Sequence, residues 1–321
     1  MPVSTEFAKL SNGLSIPKFG LGTWQSSPEE IDTAVTTALD LGYRLIDTAS
    51  VYGNEEDIGN SLKKYFDSGK LKREDVFLVT KLWVSHNRPE DVESQLRESL
   101  KKLKTDYVDL YLIHQPVTYD HEMKEQDHSV RVEHTWKAME EVYEKKLTKS
   151  IGVSNFNEEQ IGRILKSAKV PIHNSQVELH LYFQQEKHVK FCHEHNITVT
   201  AYAPLGSPGR SNFTLPTGNK LEWPDQPKPL EHPTVKKLAE KYNKTPAQIL
   251  LRHLLQKDIL IIPKSINPKR IEENSKIFDF SLTADELKEL NSAPQGDRFF
   301  LQDFCEGHPE DPWPEVRQKK D

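Results

Sequence analysis

Short apolar runs recur along most of the chain, each separated from the next by a helix-like stretch, and this alternation limits the possible folds more than any other feature. The runs are FGLGTW (19–24), YRLID (43–47), VFLVTKLW (76–83), VDLYLIH (108–114), SIGVSN (150–155), SQVEL (175–179), TVTAYAPL (198–205) and ILIIPKS (259–265). Each is rich in Val, Ile, Leu or aromatic residues without sustained polar alternation, the pattern of strands buried on both faces. Between them the apolar spacing becomes helical. Ile31, Ala34, Val35, Ala38 and Leu39 fall at i, i+3, i+4, i+7 and i+8 behind Ser27-Pro28-Glu29-Glu30, which supplies a cap and an N1 proline. Ile161, Ile164, Leu165 and Ala168 repeat the pattern after Asn157 and Gln160, a capping-box-like pair. Thr245-Pro246 and Thr283-Ala284-Asp285-Glu286 start two later helices.

Eight strands alternating with helices over about 250 residues predict an α/β chain folded as a (β/α)8 barrel. The competitor is a doubly wound sheet, which would bring a G-x-G-x-x-G turn after its first strand if it bound a dinucleotide. Here Gly20 and Gly22 are followed by Gln25 at the third position, and Ser68-Gly69-Lys70 lacks the rest of a phosphate loop. One domain spanning residues 1–321 is expected, with 296–321 as a tail beside the mouth.

The net charge of −6 and pI near 6.1 give no general attraction to nucleic acid or an anionic membrane. An anionic ligand would need a local basic cluster. Two cysteines, Cys192 and Cys305, suit a reducing compartment and form no zinc spacing. No run approaches 18 apolar residues and the N-terminus lacks a signal-like core, so a cytoplasmic protein is expected. His188, His193 and His195 lie together on a predicted helix and its exit; they read as surface histidines, and no metal site is expected.

In a barrel the C-terminal strand ends share one mouth. Those ends carry Asp47, Lys81, His114, Ser154 with Asn155, Gln176, Tyr202, and Lys264 with Ser265. One polar residue at a strand end is ordinary; this many converging on one rim suggest a site. Tyr52 follows Asp47 by five residues, in the loop beside Lys81 and His114. A phenol titrates near pH 10, so an adjacent ammonium held by a carboxylate should lower it toward the useful range. His114 can hydrogen-bond and orient a carbonyl oxygen. Together they could protonate an oxygen that is becoming an alkoxide, with no metal. The structural alternative is an Asp47–Lys81 ion pair with Tyr52 packed over it.

The segments GYRLIDTASVYGNEEDIG, VFLVTKLW, LIH, IGVSNF, SQVE, AYAPLGSP and IPKSINPKRIEEN, in this order, resemble the aldo-keto reductase superfamily. The resemblance runs from about residue 6 to 300 and is closest to the monomeric aldehyde- and aldose-reductase-like group. It implies a bottom-closing hairpin near 6–17 and a catalytic tetrad of Asp47, Tyr52, Lys81 and His114, with Tyr52 as general acid. It implies NADPH in an extended form, with NADH a weaker alternative. Ser154, Asn155 and Gln176 would meet the carboxamide and Tyr202 would stack on the nicotinamide. Thr23, Leu205 and Ser207 add further cofactor contacts. Lys264, Ser265, Asn267 and Arg270 would hold a 2′-phosphate, a compact dianion suited to charge-assisted bonds, while Glu273 and Asn274 face the adenine end.

On the same resemblance the substrate is an aldehyde or ketone bounded by Trp24, Trp83, His114 and Gln115. A binding protein on this fold would be marked by loss of a tetrad side chain, and all four are present. The chain also departs from its relatives. Gly209 replaces an acid that clasps the cofactor against the position of Lys264, so release should be faster. Gln115 stands where several relatives have tryptophan, which should make the pocket roomier and more polar on one side. The connection 206–233 is long and proline-rich. The loop 117–130 and the tail 299–316 supply the remaining wall, and sugar, steroid and lipid carbonyls all stay open as substrates.

Overall fold

An antiparallel hairpin, β1 (Phe7–Lys9) with β2 (Ser15–Pro17), opens the computed structural model, which describes residues 6–210, 226–296 and 298–317. Eight parallel strands follow, neighbouring one another in chain order: β3 (Leu21–Gly22), β4 (Leu45–Asp47), β5 (Phe77–Leu82), β6 (Leu110–Ile113), β7 (Ile151–Ser154), β8 (Asn174–Glu178), β9 (Thr198–Tyr202) and β10 (Ile259–Ile261). Parallel bridges Phe19–Ile261 and Gly22–Lys264 join the last strand to the first, so the sheet closes. The helices are α1 (Pro28–Leu41), α2 (Glu55–Asp67), α3 (Pro89–Leu103), α4 (Val132–Glu144), α5 (Glu158–Ser167), α6 (Glu186–Glu194), α7 (Pro233–Tyr242), α8 (Pro246–Gln256), α9 (Pro268–Ser275), α10 (Ala284–Asn291) and α11 (Pro314–Arg317).

All eight expected strands form, mostly shorter than their apolar runs. The run 198–205 stops as strand at Tyr202 because Ala203 turns left-handed, with φ 51°. The run 259–265 ends at Ile261, shortly before Pro263, which has no N–H for a ladder. Each expected helix start is present: Ser27, Asn157, Thr245 and Thr283 close capping boxes with Glu30, Gln160, Gln248 and Glu286. A cap of this kind stabilises its helix by about 1 kcal/mol. Residues 211–225 of the long connection lie outside the described residues.

The two-residue side-chain period explains how the site arises. Leu45, Val79, Leu112 and Ile262 face inward and pack together in the barrel, and the hairpin region adds Leu10 and Ile16 to close the bottom. Counting on by two gives Asp47, Lys81, His114 and Lys264. The inward face therefore turns polar as the strands reach the C-terminal rim. Outward residues such as Ile46, Leu78, Ile113 and Val153 join the larger core beneath the helices. Gly152 is required inside, where an added Cβ would sit 2.3 Å from Asn174 O.

His188 corrects one expectation. It is buried, its Nε2 3.0 Å from Ser175 Oγ and its Nδ1 3.1 Å from Glu158 Oε1, so it ties α6 to β8 and α5. Its place on the inner face of α6 decides this, whereas His193 and His195 are exposed as expected.

Glu55 is a carboxyl buried between α2 and the sheet. It accepts a hydrogen bond from Thr80 Oγ1 at 2.6 Å. Burial raises its pKa above 4.5. A raised folded-state pKa gives stability that is complete below the unfolded pKa and declines as pH climbs through the folded one. Glu55→Gln should remove that decline. Its melting temperature relative to wild type should rise between pH 4.5 and pH 8, by about 2 °C if ~1 kcal/mol is recovered. A difference that stays constant with pH would contradict this.

Candidate active site

Asp47 closes β4 and is held at both carboxylate oxygens. Lys81 Nζ donates to Oδ1 at 2.5 Å and Gln176 Nε2 donates to Oδ2 at 2.7 Å. Lys81, fully buried near the end of β5, also donates to Thr48 O at 2.8 Å. Past β4 the chain makes a single 3-10 turn, Ser50–Tyr52, ended by Gly53 at φ 70°. Ser50 Oγ donates to Lys81 O at 3.0 Å, and Asn54 Nδ2 donates to Thr23 O at 2.9 Å. These bonds fix the turn against β3 and β5. The half-buried Tyr52 ring then lies with its centroid 5.2 Å from Lys81 Nζ and 5.7 Å from the His114 ring, edge to face. Thr48, Ser50 and Asn54 escaped sequence reasoning, although all three lie in the quoted stretch around Tyr52.

The electrostatics differ from the sequence expectation. Burial, and after it the charge of Asp47, raises the Tyr52 phenol well above pKa 10. The expected lowering by Lys81 does not prevail because Asp47 compensates that ammonium at contact distance. Burial lowers the Lys81 pKa, opposed by Asp47. Burial, then Lys81, pushes His114 well below its usual range, so its imidazole is neutral at physiological pH.

Around this centre Ser154, Asn155 and Gln176 are all buried. Asn155 donates to His114 O at 2.9 Å and accepts from the Tyr202 hydroxyl at 2.8 Å, which brings three predicted strand ends together. Thr23 Oγ1 donates to Asp47 O at 2.8 Å. Three non-glycine residues here have left-handed backbone, Asn155 at φ 63°, Ala203 at 51° and Ser207 at 46°. Leu205 is half-buried in the same turn.

Lys264 and Arg270 are exposed at one edge of the mouth, with Lys264 Nζ donating to Gln25 O at 3.2 Å. Asn267 caps α9 and receives Lys269 N and Arg270 N; its own N donates to Ser265 Oγ at 3.1 Å. Glu273 is half-buried and Asn274 buried on α9. Among the described residues none comes within 4 Å of where a side chain on Gly209 would start. Trp83 packs edge-on to His114 at 5.1 Å, and Trp24 packs on Phe300 at 5.6 Å. Gln115 is buried, and among the described residues its side-chain oxygen has no hydrogen-bond partner.

The tail crosses this rim. Tyr119 Oη donates to Phe304 O at 2.5 Å, and Glu310 accepts from Arg163 Nη2 at 2.7 Å on both oxygens, so loop and tail are bound to the barrel. Among the described residues no group of three or more His, Cys, Asp or Glu side chains could hold a metal ion. Among them also, no helix is long and apolar enough to cross a membrane.

A family model described as the aldo/keto reductase family matches residues 16–294. The chain belongs to the aldo/keto reductase family. Its relatives in that family include aldo-keto reductase family 1 member A1 of Gallus gallus, 43% identical over 311 residues that cover 94% of this chain and 92% of that protein. The Homo sapiens member A1 is 42% identical over 304 residues, covering 91% and 90%. Among solved structures, the aldose reductase of Schistosoma japonicum superposes with TM-score 0.87 at 42% identity, covering 97% of this chain and 99% of that one. An aldo-keto reductase of Bombyx mori, solved in complex with NADP, gives 0.88 at 35% identity with the same coverage. As a member of this aldo/keto reductase family, the chain is an NADP(H)-dependent oxidoreductase of carbonyl compounds.

Proposed function

We propose that this aldo/keto reductase reduces an aldehyde or ketone to the alcohol with NADPH, and that Tyr52 donates the proton. The observation that carries the reading is the Asp47 carboxylate bridging Lys81 and Gln176 beneath the Tyr52 ring, with His114 at its edge. The raised phenol is fully protonated near neutrality, so it holds the proton that the developing alkoxide oxygen takes up. Neutral His114 hydrogen-bonds the same oxygen and orients it. As the proton leaves, Lys81 opposes the charge left on Tyr52, and Asp47 keeps that ammonium charged against burial.

NADPH supplies the hydride when bound. The residues present fit its carboxamide. Gln176 Nε2 is engaged by Asp47, which leaves Oε1 to accept. Ser154 Oγ accepts from Asn155 Nδ2, which leaves its hydroxyl hydrogen to donate. Tyr202, tethered through its hydroxyl to Asn155, offers a ring face for stacking. Thr23, Leu205 and Ser207 border the cofactor on this reading. The exposed Lys264 and Arg270, with Ser265 and Asn267, favour a 2′-phosphate, and Glu273 with Asn274 serve the adenine end. Trp24, Trp83, His114 and Gln115 bound the carbonyl.

The experiment is NADPH oxidation across sugar, aromatic, lipid and steroid carbonyls, repeated with NADH. Arg270→Met should weaken NADPH binding about tenfold or more, the scale of one charge-assisted bond, and leave NADH affinity unchanged. Equal loss for both cofactors would remove Arg270 from the phosphate site, and a chain inert to every carbonyl would overturn the reading.

A further inference from the structure

Two residues beyond Gln176, on the same inward face of β8, stands a carboxylate that the proposed reduction does not use. Glu178 is fully buried. Its Oε1 accepts Phe299 N at 2.6 Å and lies 2.9 Å from His180 Nε2; its Oε2 accepts Phe300 N at 3.1 Å and faces Arg298 Nη1 at 3.8 Å. Two successive backbone amides of the tail thus end on one side chain at the C-terminal end of β8. Burial works to raise this carboxyl, but the His180 bond, the Arg298 charge and the Phe299 amide outweigh it and hold it below its usual value.

The consequence lies one residue further on. The Phe300 ring packs edge-on to Trp24 and to Tyr202, at 5.6 Å from each. The adjacent Phe299 is stacked on His180 at 4.0 Å, so the backbone cannot rotate here without breaking both contacts. A wall ring that stands between two site aromatics takes its orientation from this anchored backbone.

We propose that Glu178 is a positioning residue for substrate selection: it holds the tail so that Phe300 forms a rigid wall against which aromatic carbonyls are selected. The inference rests on reading Trp24 and Tyr202 as substrate and cofactor contacts. In Glu178→Gln the amide keeps an oxygen for one tail N–H but turns its own N–H toward the other, which frees one side of the anchor.

The test compares propanal with naphthaldehyde, using NADPH oxidation for kcat and KM and fluorescence for NADPH affinity. Glu178→Gln should raise KM for naphthaldehyde about tenfold, within the range that pocket shape contributes to selectivity. Its kcat, its KM for propanal and its NADPH affinity should stay within about twofold of wild type. Phe300→Ala should lower the naphthaldehyde-to-propanal ratio of kcat/KM as well. The double variant should be no worse than Phe300→Ala alone, because both substitutions remove one wall. Equal losses on the two carbonyls, or additive effects, overturn the proposal. If Glu178→Gln fails to fold, Glu178→Asp takes its place, because the shorter carboxylate keeps the charge but does not span both amides; unchanged selectivity in it, or in Phe300→Ala, overturns the proposal. A wild type inert to both carbonyls would overturn the reductase reading and this inference with it. An active wild type whose variants keep its selectivity overturns this inference alone.

Discussion

Replacing Tyr52 with phenylalanine should cut turnover of a good aldehyde by about 10²–10⁴-fold, the range of a lost general acid, while NADPH still binds. The ring contacts survive the substitution: the edge-to-face packing on His114 and the face presented to Lys81 need no hydroxyl. What disappears is the acidic hydrogen. Retained binding can be followed as NADPH quenching of tryptophan fluorescence, with Trp24 and Trp83 both at the mouth. In wild type the same acid makes the pH dependence specific. Burial and Asp47 place the phenol well above 10 and burial keeps His114 neutral, so neither group should change state between about pH 6 and 8. Reduction should be nearly flat across that window and decline only on the alkaline side, where the acid form is lost. Wild-type turnover by Tyr52→Phe would end the assignment, and a steep change centred near pH 7 would point to another acid.

Asp47→Asn should give the largest loss of stability. Lys81 is fully buried and its partner nearly so, so removing the counter-charge leaves an ammonium in the barrel interior without its contact partner. Breaking a buried pair in this way costs about 3–5 kcal/mol. Without Asp47, burial is opposed only by the weaker influence of Glu55 and depresses the folded pKa of Lys81 further. The unfolded chain then binds the extra proton, so the deficit should shrink as pH rises toward the ordinary lysine value of about 10.4. Asp47→Asn with Lys81→Met, which removes both charges, should recover most of the stability and remain inactive. Urea midpoints of the two single variants and the double variant across pH check this. A loss below about 1 kcal/mol for Asp47→Asn would mean that the pair is better solvated than its burial indicates.

Much of this site was legible before any coordinates. Each strand of a closed parallel barrel is covered on both faces, so it is written as an apolar run, and the place where the run turns polar marks the rim. Asp47, Lys81, His114, Gln176 and Tyr202 were visible for that reason, and the four helix caps because their side chains bond within three residues. Local chemistry leaves local traces. Glu178 was within one of the quoted segments yet carried no sign of its use, because both amides it binds lie about 120 positions later. His188 was misjudged for a similar reason: helical spacing says which residues share a face, but only packing says what covers it.

The amino-acid order was thus sufficient for the barrel, the helix starts and the identity of the rim side chains, since these depend on periodicity and on contacts between near neighbours. Tertiary packing alone decided which way the Tyr52 phenol shifts, which carboxylate anchors the tail, and how Phe300 comes to stand between Trp24 and Tyr202. Those outcomes depend on desolvation and on distances between groups far apart along the chain. Burial outweighs a charge that already has a partner, and no spacing of residues encodes that balance.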